Sequence, residues 1–160
     1  MPIQTGDRIP AATLFEMTAD GPRDLLTSEL FAGKTVVLFG VPGAYTPTCT
    51  HLHLPGFIKL ADRFKERGVD DIVCFAVNDP FVMAAWGKVS GATGKVRMVS
   101  DGNGELTAEM GLDVDLSSAG LGVRSRRFAM VVVDGVVTSL DIEQPGKFEV
   151  SGAEIQLSKL

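Results

Sequence analysis

The chain has 160 residues, of which 45% are hydrophobic, enough to bury one substantial core and too few for two comfortable domains, so a single domain over residues 1–160 is expected. Its formal charge of -5 comes from acidic residues scattered along the sequence, and the absence of a Lys/Arg cluster argues against nucleic acid as a partner. The longest apolar runs, at 35–41 and 128–133, are far shorter than the roughly 20 residues that cross a bilayer, so no membrane partner is expected.

Met1 to Arg8 carry neither an apolar signal core nor an Arg/Ser-rich amphipathic presequence, which points to a cytoplasmic protein. The first strong signal is a Val/Phe-rich strand at 35–41, which runs out into a Pro/Gly loop ending in Thr46-Pro47. Thr caps helices and Pro favours the first helical position, so a helix is expected to begin there. Phe57, Leu60, Ala61 and Phe64 then fall at helical spacing, with Asp62, Arg63, Lys65 and Glu66 on the other side and Gly68 as a stop. A strand at 72–78 completes a βαβ unit with parallel strands and a right-handed crossover.

Further on, helices are expected at 80–89, 105–110 and 153–157, and strands at 96–100, 127–133 and 136–142. Asp134-Gly135 lies between the last two strands and reads as a tight hairpin turn, adding antiparallel strands to a parallel core. The expected fold class is α/β, with a mixed central β-sheet flanked by helices. A thioredoxin-like fold has that architecture, which other α/β sandwiches share. Trp86, the single tryptophan, is expected to pack in the core.

Two cysteines, Cys49 and Cys74, cannot staple a core of this size, so each is read separately. Cys49 falls in the first turn of the helix after Thr46-Pro47, where unpaired backbone N–H groups favour negative charge on sulfur. A thiolate at the C-terminal end of a central strand is a nucleophile where α/β sheets place their reactive groups. An isolated cysteine at a helix start is more often a buried filler; the residues around this one decide the matter. Cys49, His51 and His53 alternate, but neighbours two apart on a helix diverge, so no metal site is expected. His53 is nearer in angle to Cys49 than His51 and is read as packing or capping near a kink at Pro55 rather than as a base.

The segment Pro42-Gly43-Ala44-Tyr45-Thr46-Pro47-Thr48-Cys49 resembles the PGAFTPTC peroxidatic segment of the type II (Prx5-like) peroxiredoxins, which contains the general pattern PxxxTxxC. The similarity continues through His53-Leu54-Pro55-Gly56-Phe57, Asp79-Pro80, Ser100-Asp101-Gly102-Asn103, Arg127-Phe128 and Asp134-Gly135, so it covers nearly the whole chain in order. The resemblance implies a thioredoxin-like fold and a thiol peroxidase that needs no cofactor. It makes Cys49 the peroxidatic residue, gives Thr46 and Arg127 the stabilisation of the transition state, and has Pro42 shield the sulfur. Gly43 and Thr48 join Thr46 and Arg127 at the substrate. Arg127 also fits on chemical grounds, as a permanent cation with several donors for the charge that builds on the departing oxygen. Its neighbours Arg124 and Arg126 share the segment, and strand alternation lets only one of Arg126 and Arg127 face the pocket; the family pattern selects Arg127.

The implied partners are a hydroperoxide and a thiol reductant, either glutathione with glutaredoxin or thioredoxin, and the implied assembly is a homodimer. Phe148 to Gly152 contains no cysteine, unlike the animal Prx5 type with its C-terminal resolving thiol. Cys74 is a possible resolving residue by resemblance to some plant members. As a residue of a central strand it is expected to be buried, and pairing it with Cys49 would require local unfolding. Two other readings of Cys49 are a peroxide sensor that passes its disulfide to a partner, and a silent interaction module, which the presence of Thr46, Cys49 and Arg127 argues against. A general disulfide oxidoreductase would carry a CxxC pair, and the position three before Cys49 is Thr46.

Overall fold

The computed structural model describes residues 2–160. Two strands that the hydrophobic pattern does not announce, β1 (Thr13–Thr18) and β2 (Gly21–Leu26), form an antiparallel hairpin. Pro22 and Asp24 are residue types depleted from strands, and β2 tolerates them because it is the outermost strand of the sheet. A short helix, α1 (Thr27–Phe31), leads to β3 (Thr35–Gly40), the strand expected at this place.

After β3 the chain turns helical at Pro47, and the next turn, Cys49–His53, is widened so that the Leu54 N–H reaches the Cys49 carbonyl five residues back. Pro55 has no N–H to give to the preceding turn, which favours a break in the α-helical ladder here. Helices α2 (Leu54–Lys59) and α3 (Ala61–Glu66) follow. Phe57, Ala61 and Phe64 are buried and Leu60 is half-buried, as their spacing requires, while Asp62, Arg63, Lys65 and Glu66 face solvent.

Strand β4 (Asp71–Ala76) is parallel to β3, and after helix α4 (Pro80–Ser90) strand β5 (Arg97–Ser100) is parallel to β4. The Asp79 carboxylate caps α4 by accepting the Val82 N–H at 2.8 Å, with Pro80 in the first turn. Helix α5 (Glu105–Glu109) precedes a two-stranded ribbon of β6 (Asp113–Asp115) and β7 (Val123–Ser125). Strands β8 (Phe128–Val133) and β9 (Val136–Ile142) form the expected hairpin, whose turn residues Asp134 and Gly135 both have positive φ. Helix α6 (Ala153–Ser158) closes the chain.

The main sheet has the order β2-β1-β5-β4-β3-β8-β9, with β3, β4 and β5 parallel and the other neighbours antiparallel. It is the mixed sheet with helices on both faces that the sequence leads one to expect. Alternation along β3 divides the core in two: Val37 and Phe39 join Phe57, Phe64, Met83, Trp86 and Leu157 on one face, and Val36 and Leu38 join Leu30, Phe31, Leu106 and Met130 on the other. Cys49 and Cys74 both belong to the first of these clusters. Gly40 ends β3 where a Cβ would lie 2.1 Å from the Phe128 ring, so only glycine lets β8 pack against the strand that leads into the Cys49 loop. No helix among the described residues is long and apolar enough to cross a membrane.

Candidate active site

Cys49 lies in the first helical turn after Pro47, with its side chain fully buried. The start of this helix is held by backbone contacts. The Thr50 N–H donates to the Thr46 carbonyl at 2.9 Å, and the Ala44 N–H donates to the Asn78 side-chain oxygen at 2.9 Å. The Thr46 hydroxyl donates to the Gly43 carbonyl at 2.7 Å and does not cap the helix as its position suggests. Its lone pairs, rather than its proton, are therefore free for another partner.

Arg127 sits just before β8, and its guanidinium spans two groups. One nitrogen donates to the Cys49 Sγ at 3.1 Å and the other lies 2.8 Å from the His53 Nδ1. The geometry thus brings together Cys49 and Arg127, as expected, and adds His53 between Arg127 and the C-terminal loop. The His53 Nε2 is 3.0 Å from the Ser151 carbonyl oxygen. A guanidinium only donates and a carbonyl only accepts, so the ring carries its proton on Nε2 and accepts on Nδ1. Both nitrogens are engaged, so His53 cannot act as a base toward Cys49. His51 is exposed on the other side of the turn.

Burial, followed by the neighbouring Arg127 charge, pushes the His53 pKa down to about 3. A group depressed in the folded state contributes stability that is complete above its unfolded pKa, near 6.5, and is lost as pH falls toward the folded value. His53 should therefore account for about 3 kcal/mol of stability lost between about pH 6.5 and about pH 4, at 1.36 kcal/mol per pKa unit. Urea unfolding of the wild type and His53→Gln across that range checks it. The wild-type slope should be the steeper, and equal slopes would show that His53 is not held neutral.

Arg124, which the sequence places beside the pocket without a defined role, is half-buried. Its Nε donates to the Leu121 carbonyl at 2.8 Å and one terminal nitrogen donates to the Pro42 carbonyl at 3.3 Å. A Cβ on Gly43 would fall 2.9 Å from that guanidinium, so a side chain there would push the Arg124 tip aside, while glycine lets it lie directly over the Cys49 loop. Arg126 donates to the Glu143 carbonyl at 3.4 Å, and of the two adjacent arginines it is Arg127 that reaches the Cys49 sulfur. Thr48 and Arg127 line a cleft of about 170 Å³ with Val114, Leu116 and Pro145.

Cys74 lies in β4 opposite Phe39 and is fully buried. Burial, and after it the neighbouring Cys49 sulfur, pushes its thiol well above the ordinary range, and both cysteines are free. Among the described residues no group of three or more His, Cys, Asp or Glu could hold a metal ion. The contribution of Ser151 carries no sequence signal, because it acts through its backbone carbonyl.

Residues 4–157 match the family model described as Redoxin. The chain belongs to the redoxin family. Within it the chain is a peroxiredoxin. It is 50% identical to "Peroxiredoxin-2B" of Arabidopsis thaliana over 99% of each chain. It is 48% identical to a Vibrio vulnificus protein solved as "reduced Prx3 in complex with h2o2", with a TM-score of 0.95 and 98% of each chain covered. Peroxiredoxin 5 of Alvinella pompejana matches at 37% identity with a TM-score of 0.86, over 98% of this chain and 97% of that one. This peroxiredoxin is accordingly a thiol-dependent peroxidase with a thioredoxin fold.

Proposed function

We propose that Cys49 is the peroxidatic residue and that it reduces hydrogen peroxide and small alkyl hydroperoxides. The observation that carries this reading is the Arg127 guanidinium, 3.1 Å from the Cys49 Sγ and fixed from behind by His53 at 2.8 Å. It stabilises the thiolate and stands ready for the charge that develops as the O–O bond opens. The thiolate sulfur bonds to one peroxide oxygen, the O–O bond breaks, and its electron pair leaves on the other oxygen, which takes a proton and departs as water or an alcohol. Cys49 is left as a sulfenic acid. Thr46, Gly43 and Thr48 shape the substrate end of the loop and Pro42 limits the access of water. The cleft beside Thr48 and Arg127 suits small hydroperoxides, and the likeness to a protein solved with hydrogen peroxide supports that substrate.

The sulfenic acid is resolved by an external thiol, of glutathione with glutaredoxin or of thioredoxin. Support comes from Cys74, whose thiol is buried and held protonated, and from Phe148–Gly152, which offers no cysteine. The reading includes a homodimer in the cytoplasm. Tyr45, Phe81 and Val123, exposed by 53%, 64% and 57%, provide apolar surface at and around the Cys49 loop for a second copy. Stopped-flow mixing of the reduced protein with hydrogen peroxide tests the assignment. Oxidation of Cys49 is expected to exceed that of an ordinary protein thiol by orders of magnitude. A rate equal to that of a free thiol would overturn it.

A further inference from the structure

The carboxylate of Glu143 is buried, with 4% of the residue exposed, and nothing in the peroxidase chemistry above employs it. Both of its oxygens accept from the Glu149 N–H at 2.9 Å. Its Oε2 also accepts from the Val150 N–H at 2.8 Å, the Ser151 N–H at 2.7 Å and the Ser151 hydroxyl at 2.8 Å. Three successive backbone N–H groups converging on one anion form a nest, which fixes the loop more tightly than a neutral acceptor would. Despite its burial, these donors hold the carboxyl below the usual carboxylate range.

What the nest fixes is the far end of the catalytic contacts. The Ser151 carbonyl takes the Nε2 proton of His53, which leaves Nδ1 to accept from Arg127, whose other nitrogen reaches Cys49. The same loop brings the Phe148 ring to 5.0 Å from the His53 ring and to 6.0 Å from the Arg127 guanidinium carbon. Glu143 also ties the near end, since its own N–H donates to the Arg127 carbonyl at 2.9 Å. One residue thus clamps the Arg127 backbone and, through the loop, the imidazole that aims the Arg127 side chain.

We infer that Glu143 is a positioning residue for the peroxidase reaction, setting the His53 tautomer and through it the placement of Arg127 at Cys49. This rests on the proposed role of Cys49 and adds to it a determinant that acts through His53 and Arg127. In Glu143→Gln the negative charge is lost and one acceptor oxygen becomes an N–H₂ donor facing at least the Glu149 N–H, so the nest is weakened and the hold of the Ser151 carbonyl on His53 loosens.

The test measures two things on the full chain: the stopped-flow rate of Cys49 oxidation by hydrogen peroxide, and the pH at which the ultraviolet absorbance of the thiolate is half lost, read without peroxide. Glu143→Gln is expected to slow oxidation by about 10- to 100-fold, the range a misplaced catalytic group produces, and to move the thiolate half-point to higher pH. Glu143→Asp, which keeps the charge, recovers part of both. In an Arg127→Gln background Glu143→Gln should change the rate by no more than about twofold, because its route to the sulfur is already gone. If Glu143→Gln fails to fold, Ser151→Ala removes one donor of the nest and should show a smaller effect of the same sign, again absent in the Arg127→Gln background.

An unchanged rate and half-point in Glu143→Gln would overturn the inference. So would an equal loss with and without Arg127, which would mark a merely structural role. Slow oxidation of the wild type would sink the peroxidase reading instead, and the thiolate half-points would still decide the part played by Glu143.

Discussion

Cys49→Ser is expected to bring peroxide consumption down to that of a protein-free control, a loss on the order of 10⁶-fold, the lower end of enzymatic accelerations, while Cys74→Ser leaves the oxidation step within about twofold of wild type. The asymmetry follows from where the two sulfurs lie. Both are buried in the same apolar cluster, yet only Cys49 has a cation within hydrogen-bond distance. Cys74 sits in the middle of a parallel strand with its thiol pushed up by burial, so it stays protonated and unreactive at neutral pH. Placing a hydroxyl there should cost stability, about 1–3 kcal/mol for an unpartnered polar group in the core, visible as a lower urea midpoint without slower chemistry. Mass analysis after one equivalent of peroxide completes the comparison. A sulfenic acid or a mixed disulfide with added thiol is expected, and an internal Cys49–Cys74 disulfide as the main product would show that the sheet opens during turnover and would end the case for an external resolving thiol.

The sequence is most informative where the chemistry is written in side-chain identity or in strict periodicity. Strands β3, β4 and β8 are dense in Val, Ile, Phe and Ala, and the ends of these three and of β5 and β9 fall within two residues of the expected bounds. Phe57, Ala61 and Phe64 mark their helical face because the opposite positions are charged. The hairpin of β1 and β2 goes unread because Pro22, Arg23 and Asp24 disguise an edge strand whose pairing depends on its neighbour. The β6 and β7 ribbon is hidden because three-residue strands such as Asp113–Asp115 carry no period.

At the site, Cys49 and Arg127 are visible through their motif and charge. The widened turn at Cys49–His53 is not, although Pro55 hints that the ladder must break nearby. It matters because it is the part of the helix that carries both Cys49 and His53, the two side chains that Arg127 joins. The Ser151 carbonyl is invisible in principle, since every residue has one, and only the folded path of the loop after β9 shows which carbonyl holds the imidazole. Arg124 is a harder case. Its type suggests an exposed cation, and only the approach to Gly43 shows that it closes over the Cys49 loop.

Arg127→Gln is expected to slow Cys49 oxidation by about 100- to 1000-fold, the loss that follows removal of one preorganised donor from a developing negative charge. Glutamine is long enough to keep one hydrogen bond but carries no charge, so it loses the electrostatic part of the contact to sulfur. Arg127→Lys separates charge from shape. An ammonium retains the cation but is a single point, whereas the guanidinium meets Cys49 with one nitrogen and His53 with the other, so lysine should recover only part of the loss.

A second consequence runs the other way. Arg127 is the second cause, after burial, of the low His53 pKa, so in Arg127→Gln the imidazole should titrate at higher pH than in wild type while staying below its ordinary value. Histidine resonances followed by NMR across acid pH, with the exposed His51 as internal reference, would record that shift beside the kinetic loss. A rate loss without the His53 shift would mean that Arg127 reaches the sulfur without leaning on the imidazole. A shift without a rate loss would detach the guanidinium from the chemistry altogether.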